Sequence, residues 1–176
     1  MRKWIAMLLI LGAVLTLTAK DYELKQAVDK NGYTYSYVTE DPYNAREYTL
    51  KNGLKVYLSR IPVKPRVSFK AAVRGGMADS PADVTGLAHY FEHMMFKGTK
   101  KYPDGSLSKI VAGLGGKDNA FTNTDYTAYF QQIPKSNLEK MMELEADRME
   151  NLQFKDADCQ KEIKGVMEER RWRTDD

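Results

Sequence analysis

The sequence is poor in the two residue types that build most disulfide and metal sites. Its single cysteine, Cys159, excludes an internal disulfide framework and a zinc site made of several thiolates. It has only two histidines, His89 and His93, which excludes a metal site built from three histidines of one chain. Any histidine chemistry of this chain therefore uses these two side chains.

An excess of charge of one sign is also absent. The 176 residues include 27 Lys and Arg against 24 Asp and Glu, a formal net charge of +3. A charge this small and this scattered argues against nucleic acid as the partner. With 43% hydrophobic and 29% charged residues, the composition is that of an ordinary globular protein, and the length suits one domain.

A short apolar run at the N-terminus differs from the rest of the chain. Residues 4–17 are apolar, follow Arg2 and Lys3, and are too few for a comfortable membrane span. Together with the small residue Ala19, this pattern predicts a signal peptide over residues 1–19 and an exported protein, periplasmic or secreted. The alternative is an uncleaved N-terminal segment that contacts a membrane.

Strand and helix patterns are mixed along the remaining chain. Polar residues 20–46 predict an extended lead-in, and the turn signal Asn52-Gly53 predicts a hairpin. Further elements are expected as strands at 67–73 and 120–130, and as helices at 84–96, 107–114, 136–152 and from Asp156 or Asp158 towards Arg171. This order predicts an α+β fold, with a mixed or antiparallel sheet and helices packed on one face.

The helix expected at 84–96 carries the clearest chemical signal. His89 and His93 are four residues apart and lie on one helix face, with Glu92 on the same side. This H-x-x-E-H order supplies two imidazole ligands for zinc and a carboxylate that can take a proton from a water. Surface histidines are the alternative, but the neighbouring residues are apolar, and an unpaired polar group is costly in a buried helix.

A catalytic zinc needs a third protein ligand, and carboxylates are the remaining choice. Glu162 and Glu169 are seven residues apart on the last helix and share a face, whereas Glu168 points about 100° away. Helix geometry therefore favours Glu169, supported by Glu162, over Glu168 as the third ligand. A solvated run of charges at the end of the helix stays open as the alternative reading of Glu168 and Glu169.

The histidine motif stands in a longer run, residues 86–99, that resembles the pitrilysin/insulinase family of zinc peptidases. Four further segments resemble that family in the same order: the opening hairpin at 48–54, the substrate-binding strand at 115–122 followed by Thr127 and Tyr129, and later helices at 146–149 and 166–169. The resemblance covers residues 46–176, and it implies the fold of pitrilysin and of the mitochondrial processing peptidase.

The resemblance also implies roles for individual residues. It implies one Zn²⁺ per chain held by His89, His93 and Glu169, the last of which stands 76 residues after His93 as in the family. It implies Glu92 as the general base and Glu162 as a supporting carboxylate. In that family the strand that contains, here, Asn119, Ala120 and Phe121 receives the substrate as an added strand.

These features predict a zinc metalloendopeptidase that hydrolyses peptides or small unfolded proteins. Members of the family carry at least two related domains, so residues 47–176 are expected to be the N-terminal part of one catalytic domain. We therefore expect a peptide substrate and a second peptidase-like domain or subunit as partners. The alternative is a catalytically silent zinc-binding module, or half of a split peptidase.

Overall fold

The computed structural model describes residues 21–61 and 65–174, and each of these two ranges forms a compact unit. Within them, no helix has the length and apolar character that a membrane crossing requires. The predicted signal peptide at 1–19 lies outside the described residues, so signal peptide and export stay predictions.

The first unit is a four-stranded antiparallel sheet in chain order. Its strands are β1 (Leu24–Val28), β2 (Thr34–Val38), β3 (Arg46–Thr49) and β4 (Lys55–Leu58). The predicted hairpin around Asn52-Gly53 is confirmed as β3–β4: Gly53 has φ +86°, and Asn52 Oδ1 accepts from the Leu54 amide at 3.1 Å. This turn chemistry is local, which is why the sequence reveals it.

The segment predicted to be an extended lead-in contains a paired hairpin, β1–β2. Asp29 closes its turn, because Oδ1 accepts from the amides of Asn31 and Tyr33 at 2.9 and 3.0 Å. β1 is almost wholly exposed and its residues do not alternate between apolar and polar. Nothing in the sequence therefore marks it as the partner of β2, in which Tyr35 and Tyr37 do alternate with polar residues.

The second unit contains an antiparallel sheet with the strand order β5-β7-β6. Its strands are β5 (Arg66–Val73), β6 (Lys117–Thr122) and β7 (Thr127–Pro134). The prediction of one strand over 120–130 was therefore wrong, since residues 123–126 form a turn between two strands. Asn123 Oδ1 accepts from the amides of Asp125 and Tyr126 at 3.0 and 2.9 Å, which closes a turn that the β-prone neighbours hide in the sequence.

Four helices complete the second unit: α1 (Leu87–Met94), α2 (Ser106–Gly113), α3 (Leu138–Asn151) and α4 (Asp156–Thr174). All four predicted helices are present, with shifted ends. The first begins after Gly86, whose φ of +89° is not helical, and not at Val84. The third is preceded by a short 3-10 helix, so Asn137 and not Ser136 stands at its start.

Helices cover one face of the β5-β7-β6 sheet, as predicted for an α+β fold. Side chains of alternate β7 residues point to that face, and Ile133 packs there in a core that also contains Val111 of α2 and Met141 and Leu144 of α3. On the same face, the guanidinium of Arg148 lies 4.4 Å from the centre of the Tyr129 ring. This packing places α1 against β6 and β7.

Candidate metal centre

The two histidines of α1 direct ring nitrogens at each other. The Nε2 atoms of His89 and His93 are 3.1 Å apart, as expected for residues one helical turn apart. His93 Nδ1 donates to Glu162 Oε1 at 2.8 Å, which leaves the lone pair of a neutral ring on His93 Nε2. The helix thus presents a nitrogen donor that suits a metal ion.

Glu169 of α4 completes a cluster of three ligand atoms. Its Oε2 lies 3.5 Å from His89 Nε2 and 3.4 Å from His93 Nε2. Ligand atoms about 2.0–2.2 Å from a tetrahedral zinc are about 3.3–3.6 Å from each other. Both distances to Glu169 fall in this range, and the 3.1 Å between the two imidazole nitrogens is slightly shorter. In the ranges that the structure describes, these residues are the group of His, Cys, Asp or Glu close enough to hold a metal.

Glu168 does not join this cluster. Its carboxylate is exposed and accepts from Arg171 Nη1 at 3.0 Å, one turn along the same helix. The reading of a solvated charge therefore describes Glu168, whereas Glu169 faces α1. Neighbouring residues of a helix point about 100° apart around its axis, so Glu168 and Glu169 cannot both face α1.

Glu162 contacts both a histidine and a lysine. Its Oε1 accepts from His93, and its Oε2 lies 2.5 Å from the ammonium nitrogen of Lys97. Burial acts to raise the pKa of Glu162, but the hydrogen bonds from Lys97 and His93 outweigh burial and hold that pKa below its ordinary value. Glu162 is thus placed to orient the ring of His93, and the supporting role that the resemblance implies for it stays a prediction.

Glu92 lies on α1 between the histidines and is buried, with 9% of its surface exposed. Thr122 Oγ1 of β6 donates to its Oε2 at 2.6 Å. Thr122 Oγ1 lies 3.2 Å from Thr127 Oγ1, which donates to the carbonyl of Gly75 at 2.8 Å. These hydrogen bonds connect the carboxylate to the sheet and restrict its orientation.

Two residues of the site, Lys97 and Thr122, belong to none of the motifs that the sequence shows. A signal for Lys97 is its position four residues after His93, in line with the histidine face. A signal for Thr122 is its position two residues after Ala120, on the same face of the strand. Neither signal identifies the partner, which lies on another element.

The predicted substrate residues Asn119, Ala120 and Phe121 lie on β6, an edge of the described sheet. The backbone amide of Asn123 donates to the Tyr126 carbonyl, so these two residues form a hydrogen-bonded pair. Hydrogen-bonded and non-hydrogen-bonded pairs alternate along an antiparallel ladder, so Ala120 and Tyr129, three positions further along, form a non-hydrogen-bonded pair. Its amide therefore points away from β7 and donates to Asn119 Oδ1 at 2.9 Å.

Phe121 is not in the core between sheet and helices. Its ring lies on the opposite face of the sheet, with ring centres of Tyr126 and Phe130 at 5.6 and 6.2 Å. The backbone edge at Ala120 and the ring of Phe121 therefore belong to the same strand, β6.

Known proteins resemble this chain over most of its length. The model of the family "Insulinase (Peptidase family M16)" matches residues 55–174. Zinc protease PqqE of Helicobacter pylori is 38% identical over 130 residues, which are 72% of this chain and 29% of that protein. Human insulin-degrading enzyme is 36% identical over 108 residues, 59% of this chain and 11% of the enzyme.

A solved structure has the same fold. The crystal structure of a protease from Helicobacter pylori superposes with a TM-score of 0.71 and 37% sequence identity, over 74% of this chain and 32% of that one. The chain thus spans about a third or less of the length of these relatives. Since the family model covers more than half of the residues, the chain belongs to the insulinase family, peptidase family M16.

Proposed function

We propose that this chain is the N-terminal part of the catalytic domain of a zinc metalloendopeptidase that hydrolyses peptides or small unfolded proteins. The observation that carries the proposal is the meeting of His89, His93 and Glu169 within 3.1–3.5 Å, with Glu92 on the same helix as both histidines. Membership of peptidase family M16 supports it.

Zinc is the cofactor, because two imidazoles and one carboxylate are a donor set that catalytic zinc sites use. In the proposal, His89, His93 and Glu169 hold one Zn²⁺ per chain. Three protein ligands leave one of four tetrahedral positions for water or substrate. When bound there, zinc polarises the scissile carbonyl and makes the attacking water more acidic.

Glu92 acts as the general base. Its carboxylate takes a proton from the water whose oxygen forms a bond to the carbonyl carbon. When the bond from that carbon to nitrogen breaks, Glu92 returns the proton to the leaving amine. The hydrogen bond from Thr122 at 2.6 Å holds the carboxylate for both transfers.

The edge of β6 receives the peptide as an added strand. The outward amide of Ala120 is bonded to the side chain of Asn119 and not to a neighbouring strand. A substrate carbonyl can replace that side-chain oxygen and pair with the edge, largely independent of the substrate's sequence. This binding mode brings an extended peptide beside Thr122, which contacts Glu92.

Replacing Ala120 by proline tests the binding edge. Proline removes the amide donor, and the fold tolerates it because this amide does not pair with β7. Loss of one hydrogen bond of about 0.5–1.5 kcal/mol raises KM about 2- to 10-fold. Steady-state kinetics of Ala120→Pro measure this, with Ala120→Ser, which keeps the amide, as the control. An unchanged KM in folded Ala120→Pro would rule out this edge.

A second candidate function is a zinc-binding module that is silent alone and needs a second peptidase-like domain or subunit. The observation that favours it is the short span of the match, 29% of the length of PqqE. Both candidates include the same metal site, so they differ in hydrolysis and not in zinc binding.

Peptide hydrolysis with and without a zinc chelator distinguishes them. The assay uses this chain and a version extended by the sequence downstream, with metal analysis of both. We expect one zinc per chain, and hydrolysis that the chelator abolishes and added zinc restores. If the extended version hydrolyses peptides and this chain does not, the silent module is favoured. A chain that binds no zinc would contradict both functions.

A further inference from the structure

A lysine ammonium lies beside the carboxylate that supports the second histidine. Lys97 Nζ is 2.5 Å from Glu162 Oε2, and the two side chains are only 13% and 17% exposed. Glu162 Oε1 accepts from His93 at 2.8 Å, so a different group engages each oxygen of this carboxylate. Removing one partner of such a poorly exposed pair leaves the other charge without compensation.

The backbone that carries Lys97 is held from two sides. The Lys97 amide donates to the Met94 carbonyl at 3.0 Å, which continues the last turn of α1. Gly98 follows with φ +87°, and a Cβ there would overlap the carbonyl of Tyr102. The Gly98 carbonyl accepts from the Gln153 amide at 3.1 Å, just before α4 begins. The backbone of Lys97 is thus held in place between the end of α1 and the start of α4.

The helix α4 depends on polar contacts for its position at the site. It brings Glu162 and Glu169 to α1 from one face, while Ile163, Met167 and Trp172 are exposed. Little apolar surface of α4 is therefore buried within the residues that the structure describes. Glu162 of α4 contacts both Lys97 and His93. These two contacts connect α4, which carries Glu169, to α1, which carries both histidines.

We propose that Lys97 is a positioning residue of the metal centre. By holding Glu162 against His93, it sets the ring of His93 and the placement of α4 before zinc binds. The inference rests on the proposed zinc site, and it assigns Lys97 no contact with zinc or substrate. It predicts that zinc binds more weakly without the lysine.

Charge alone predicts the opposite sign. Lys97 is a cation near a site for a divalent cation, so its removal would reduce repulsion and tighten zinc binding if position did not matter. Partners that orient a ligand typically contribute 10- to 100-fold in metal affinity. The direction of the change therefore separates the positioning role from a general effect of charge.

The test is the zinc affinity of the full chain, measured by competition with a chromophoric chelator. We expect Lys97→Met to raise the Kd for zinc about tenfold or more, and Lys97→Arg, which keeps a cationic donor, to remain near the parent. Lys101→Met is the matched control, because Lys101 forms an equally short pair with Glu143 that is exposed and away from the site. It should leave the Kd unchanged.

The outcomes are distinct. A Lys97→Met chain that binds zinc as tightly as the parent, or more tightly, would overturn the inference and leave the proposed function standing. A parent chain that binds no zinc would overturn both. If Lys97→Met does not fold, Lys97→Ala, which also removes the donor but leaves space for water, replaces it: a raised Kd supports the inference and an unchanged Kd overturns it.

Discussion

Glu92→Gln should slow peptide hydrolysis by about 10²–10⁴-fold and leave zinc bound. The amide cannot take a proton from the attacking water, and general bases typically contribute a factor of about 10²–10⁴ to the rate. The side chain keeps its size and its acceptor oxygen for Thr122, so the buried position of Glu92 is conserved. We therefore expect kcat to fall by that factor with little change in KM.

Single-turnover and steady-state kinetics measure this effect, in the form of the protein that hydrolyses peptides. Metal analysis of the same preparations gives the zinc content, which should equal that of the parent. The matched control is Glu168→Gln, the same change at an exposed carboxylate outside the cluster. Hydrolysis by Glu92→Gln at the rate of the parent would show that another group takes the proton.

Glu169→Gln should lose zinc binding. An amide oxygen is a weaker and uncharged donor, and the substitution removes one of three proposed ligands, whose atoms lie within 3.1–3.5 Å of each other. Because partners one step further from a metal typically contribute 10- to 100-fold, the loss of a direct ligand should cost at least about 100-fold in affinity.

Thermal unfolding with and without zinc provides an independent measurement. A ligand at 100 times its Kd stabilises the folded state by about 2.7 kcal/mol, so zinc should raise the Tm of the parent. That rise should vanish in Glu169→Gln and persist in Glu168→Gln, which stands next to it on α4 and changes the charge equally. Equal zinc-induced rises in both variants would exclude Glu169 as a ligand.

In the second unit, the sequence predicted a helix or strand correctly wherever residues within or next to that element determine it. Gly86 and Gly98 bracket α1, and apolar residues at helical spacing predict it. The strand over 120–130 was the failure, because Asn123 closes a turn by bonding its own neighbours' amides among residues that otherwise favour strands. In the first unit, the β1–β2 hairpin was not predicted because β1 is exposed and shows no alternation of apolar and polar residues that would mark it as a strand beside β2.

The sequence by itself determined that both histidines and Glu92 share one helix side, and that Glu169 and not Glu168 shares a face with Glu162. Helical periodicity decides these relations, and it needs no information from elsewhere in the chain. Only the tertiary structure decided that α4 meets α1. It also decided that Lys97 holds Glu162 and that Thr122 holds Glu92, across 65 and 30 residues of sequence. Such contacts depend on how the sheet and helices pack, and packing over long separations leaves no periodic signal in the residues that make it.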